Sequence, residues 1–115
     1  MIETKEYILC AAVWVQDEKE YMHQPKNIIN GFVVCGQRHH NCFTTIQILN
    51  VEKVFNSDKR VKYTITQGFL TNKNRFIDRK EAAIIAFENG QILESVKLLM
   101  SEHLYWGDII NEKYF

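Results

Sequence analysis

A surplus of charge of either sign is the first thing this sequence lacks: 14 Lys and Arg balance 14 Asp and Glu in 115 residues. Without a basic surplus, a general binder of long nucleic acid or of a membrane surface is excluded. Pro25 is the single proline, and five glycines in all leave little material for a glycine-rich phosphate loop; neither a Walker motif nor a Gly-x-Ser-x-Gly elbow is present. The three cysteines, Cys10, Cys35 and Cys42, form no CxxC and sit among apolar neighbours. That usage predicts reduced thiols in a cytoplasm rather than a disulfide framework. No apolar run approaches the ~18 residues needed to span a bilayer. The acidic opening stretch lacks the basic head of a secretory signal. The expectation is one soluble, intracellular domain covering residues 1–115.

What is abundant is aromatic area, 12% of residues. In so small a chain, such a surplus points to an oligomer interface or a ligand pocket as well as to the core.

Local patterns predict the elements. Tyr7 to Val15 is an apolar run of strand length, and Tyr21-Met22 reads as a short returning strand. Pro25 and Gly31 bracket a loop, Phe32 to Cys35 reads as a second strand, and Gly36 stops it. His39, Cys42, Ile46 and Leu49 fall on one helical stripe. Val61 to Gln67 alternates as a half-buried strand, running on through Leu70 to the polar turn Thr71-Asn72-Lys73-Asn74, with Arg75-Phe76-Ile77 as its partner. Asp78-Arg79-Lys80-Glu81 is a capping box opening a helix to Glu88, and Gly90 stands where a C-terminal cap belongs. That helix is apolar nearly all round, so burial on two sides is expected, the second against another subunit. The apolar tail from Leu98 to Phe115 must dock on something. The predicted class is α+β: a small, mostly antiparallel sheet with two packed helices and a docked C-terminal tail.

Two segments could carry chemistry. Gly36-Gln37-Arg38-His39-His40 enters a helix, where free N–H groups and the helix dipole favour an anion and Arg38 offers a planar fork for phosphate. The bland alternative is that His39 is a satisfied core histidine and that Arg38 and His40 are a hydrated helix start. In the second segment, Phe69 could stack on a base, with Arg75 and Arg79 pairing to phosphate. The bland alternative makes Phe69 and Phe76 cross-strand core partners and Arg79 a surface charge. A metal site from His39, His40 and Cys42 with His23 or Cys35 fails, because adjacent helical residues diverge by about 100°. A Nudix box fails too: Asn74 stands where the glutamate after Gly68 belongs. No metal, no cofactor and no catalytic residue is expected.

Taken in order, Arg38-His39-His40, Gln67-Gly68-Phe69, Arg75-Phe76-Ile77-Asp78-Arg79 with Glu81-Ala82, Gly90-Gln91 and Ser101-Glu102-His103-Leu104-Tyr105 resemble a pattern shared by small phage-encoded proteins. Ile77 replaces a Val of that pattern, and His103 an Asp. The set is similar to the Thoeris anti-defence sponge family. The resemblance implies a protein that binds the cyclic ADP-ribose isomer made by bacterial TIR-domain enzymes and sequesters it uncleaved, as a homo-oligomer with nucleotide sites near subunit contacts. For such a ligand the residues themselves offer a site at Arg38, His39, His40, Phe69, Leu70, Thr71, Arg75 and Arg79, with the helix start holding phosphate and the hairpin framing base or ribose. Two other readings stay open: a nucleotide-processing enzyme with His39 or His40 as acid–base, and an interaction subunit whose tail docks a host partner.

Overall fold

The computed structural model describes residues 5–49 and 64–104. Their order is β1 (Ile8–Gln16), β2 (Phe32–Gly36), α1 (His39–Ile48), β3 (Thr64–Thr71), β4 (Phe76–Asp78) and α2 (Arg79–Glu88). All pairings are antiparallel and the sheet order is β2-β1-β3-β4. The fold is the predicted small α+β arrangement.

Alternation along the strands decides what each face buries. Ala11, Val13 and Val15 of β1, Phe69 of β3 and Ile77 of β4 share one core with Cys42 and Ile46 of α1 and Ala82, Ala83 and Ala86 of α2. Both helices therefore cover the same face. Phe69 lies opposite Ile77 and Leu70 opposite Phe76, so the expected pairing of Phe69 with Phe76 is off by one residue, and the two rings face opposite sides of the sheet. Phe76 meets Trp14 edge-on at 5.8 Å on the face away from the helices. Its ring lies over Gly68, where an added β-carbon would come within 2.6 Å of that ring and 2.1 Å of the Ile77 carbonyl oxygen. This is the close approach for which a strand glycine is suited.

Residues 17–31 form no returning strand. Tyr21 instead bonds through its hydroxyl to the buried Asp17 carboxylate, and Glu20 makes only an isolated bridge to Gly31. The segment runs as a strap across the open face. The indole of Trp14 donates to the Asn30 carbonyl (2.8 Å), and Val33 N–H donates to Gln24 Oε1 (2.9 Å). Asn27 both donates to the Phe76 carbonyl (2.6 Å) and accepts from Phe76 N–H (2.8 Å).

α2 opens as predicted at Asp78, whose carboxylate accepts from Glu81 N–H at 2.8 Å. The reciprocal half of the box is absent because the Glu81 carboxylate bonds Arg75 (2.5 Å). Gly90, at φ +70°, closes the helix: its N–H bonds the Phe87 carbonyl, and Gln91 N–H bonds that of Ala86, the paired bonds of a Schellman end. The Gln91 side-chain amide then pairs with both backbone groups of Ile8 (2.8 and 2.9 Å), beyond the point where β2 ends. The tail does dock where it is described, with Leu99 fully buried and Leu104 packed against the core. The expected strand residues Val61 to Tyr63 and the tail from Tyr105 to Phe115 lie outside the described residues.

Candidate functional site

The starts of both helices converge on the middle of β3. At α1, the Asn41 side chain accepts from Arg38 N–H (3.0 Å), which fixes the first turn and sets His39 inward, 7% exposed, while His40 is exposed. His39 Nε2 lies 2.8 Å from the Gly68 carbonyl, and its ring stands edge-on to Phe69 at 5.0 Å. Burial pushes the His39 pKa down; the Gly68 carbonyl opposes this, Arg79 reinforces it, and Glu102 opposes it. The imidazole is accordingly neutral near pH 7, and a neutral ring facing a carbonyl carries its proton on Nε2. At α2, Arg79 donates through Nη2 to Gln67 Oε1, while its Nε–H is buried with no partner among the described residues. The Arg79 carbonyl accepts from Leu99 N–H (2.9 Å), so the tail crosses this helix start. This first cluster brings together His39, Gln67 and Arg79, with Glu102 close enough to act on the His39 ring, while Arg38 and His40 flank His39 at the helix start and His40 stands in solvent.

Thr71 and Arg75 fall in a second cluster at the hairpin end. The Arg75 guanidinium bonds Glu81 (2.5 Å) and pairs with Glu6 (3.5 Å); the Thr71 hydroxyl donates to Glu6 (2.7 Å). Beside them Asn72 accepts from Tyr7 N–H (2.7 Å) and donates to the Lys5 carbonyl (3.0 Å). Here Arg75 is paired with two carboxylates, and the turn anchors the N-terminal segment, so Thr71 and Arg75 lie apart from the His39–Arg79 contacts. The expectation for Phe69 is corrected. It is 0% exposed, and burying such a ring is worth about 1.5–3 kcal/mol, but no face of it can stack on a base. Leu70 points to the opposite face of the sheet, beside Phe76. For His39 the satisfied-histidine alternative describes the geometry.

Gln67 and Glu102 are members that sequence reasoning did not nominate. The signal for Gln67 was present: alternation puts it on the face of Phe69, where a polar side chain needs a partner. Among the described residues no three His, Cys, Asp or Glu gather as metal ligands, and no helix is long and apolar enough to cross a membrane. A protein-family model described as phage T4 y16D protein matches residues 7–105. No curated protein and no solved structure matches the chain.

Proposed function

This chain belongs to the phage T4 y16D protein family, and we propose that it acts as an anti-defence sponge. In this reading it holds cyclic ADP-ribose-type nucleotides made by bacterial TIR-domain immune enzymes, uncleaved, in the host cytoplasm and as a homo-oligomer. The observation that carries the reading is the meeting of two helix starts over Gln67 and Gly68, with a buried Arg79 Nε–H that finds no acceptor among the described residues. Helix N-termini and a guanidinium fork favour the same ligand chemistry, a pyrophosphate. A ligand with about two negative charges does not require a basic protein. Binding fits better than turnover. His39 is neutral and engaged with a backbone carbonyl, and the Asp78 carboxylate is spent on a helix cap, so neither is placed as a general acid–base.

The experiment is to load the protein with cyclic ADP-ribose isomers, wash it, denature it by heat and chromatograph the supernatant. Intact nucleotide is expected; a hydrolysed product, or nothing retained, sinks the reading. Arg79→Ala, and Arg38→Ala with His40→Ala, should each weaken retention about ten- to a hundredfold, the worth of a charge-assisted hydrogen bond. A wild-type melting temperature in these variants separates ligand loss from unfolding. A second reading, an interaction subunit, draws on one observation: Ile84 and Phe87 of α2 are 55% and 48% exposed.

A further inference from the structure

Two of the three cysteines are neighbours on the sheet face that the helices leave open. The register sets Cys35 of β2 opposite Ala12 of β1, and Cys10 lies two residues before Ala12, so both side chains project from the same face on adjacent strands. Cys35 is exposed and Cys10 half-buried. The closeness of the two thiols lowers the pKa of Cys35 and raises that of Cys10, and burial raises Cys10 further. Cys42 is a different case. It sits on the helix-covered face, its thiol directed at the Ala11 and Arg38 carbonyls, and burial pushes its pKa up to about 11.

We propose that Cys10 and Cys35 form a reversible redox pair, a cross-strand dithiol that a small organic disulfide converts to an intramolecular disulfide. With oxidised glutathione, the Cys35 thiolate attacks one glutathione sulfur and the other leaves as thiolate, giving a mixed disulfide on Cys35. Cys10 then gives up its proton and attacks the Cys35 sulfur, expelling the second glutathione thiolate. Two protein thiols are oxidised, one glutathione disulfide is reduced, and the two protons pass to the leaving thiolates. The exposed, lower-pKa partner is the natural attacker. Diagonal neighbours on a sheet stand about 7–8 Å apart, closer between their β-carbons, just beyond the separation of about 6.8 Å that a disulfide usually bridges without backbone movement. Closing the bond therefore draws the end of β2 toward β1. Gly36 follows at once, and Arg38 at the start of α1 two residues later, so the bond acts just upstream of the first cluster without requiring that it bind a nucleotide.

The test treats the native protein with excess oxidised glutathione, quenches it with iodoacetamide and reads the intact mass and a non-reduced peptide map. The expected product has lost two hydrogens, joins the Cys10 and Cys35 peptides, keeps Cys42 alkylatable and reverts with dithiothreitol. Cys42→Ser should give the same product; Cys10→Ser should stop at a glutathione adduct on Cys35. Unchanged thiols, an unresolved adduct on the wild type, a Cys35–Cys42 link or a disulfide between two copies would each overturn the proposal.

Discussion

His39 ties α1 to the sheet only while it is uncharged. Its pKa is lowered in the folded state from an ordinary 6.5, so below that value the unfolded chain binds the proton more readily than the folded one. Stability is therefore full above about pH 6.5 and falls as the pH drops toward the depressed folded value. Chemical denaturation between pH 7 and pH 5 should show this loss, and His39→Gln should flatten it while lowering stability at pH 7. A wild-type profile that is flat over this window would contradict the assignment of a neutral, Nε2-protonated ring. The partner of His39 was not legible in the sequence. The stripe with Cys42 and Ile46 showed that the residue faces inward, but Gly68 lies 29 positions away, and no local pattern encodes such a contact.

At the scale of elements, legibility follows locality. The Asp78 cap, the Gly90 terminus and the alternation into Phe69 depend on residues a few positions apart, and the structure keeps each. The expected strand at Tyr21-Met22 fails because Asp17 captures Tyr21 and His23 adopts φ +62°, a backbone state foreign to strands. The back-bond expected of Glu81 fails because Arg75, six positions upstream at the other end of β4, competes for the carboxylate. Asp78→Ala should lower stability by about 1 kcal/mol, the usual worth of an N-cap, measured by urea unfolding. It should leave the Arg75–Glu81 pair standing, since the two contacts use different groups. An unchanged midpoint would mean that α2 is held by packing alone.

At the scale of the whole molecule, α2 turns its alanines inward and two of its large apolar side chains outward, with Ile85 resting against the core. Ala82, Ala83 and Ala86 meet the sheet closely, while Ile84 and Phe87 stand in solvent. The sequence showed the apolar surplus of this helix but not its orientation, because a helix apolar all round carries no stripe to aim it. If a second copy covers this face, sedimentation velocity should find an assembly larger than the monomer, and Ile84→Glu with Phe87→Glu should reduce it to monomer at unchanged melting temperature. A monomeric wild type removes the oligomer from the proposed function.

The strap of residues 17–31 bears on what such an assembly can look like. Gln24 and Asn27, three residues apart, occupy outward-facing backbone groups at opposite margins of the sheet, Val33 on β2 and Phe76 on β4. A strand from another molecule seeking to extend the ladder would first have to displace these amides. Copies of this chain are thereby steered away from continuous sheets and strand exchange. Any assembly of copies would then have to form through side-chain packing, which is reversible and stops at a defined size, rather than by extending the ladder.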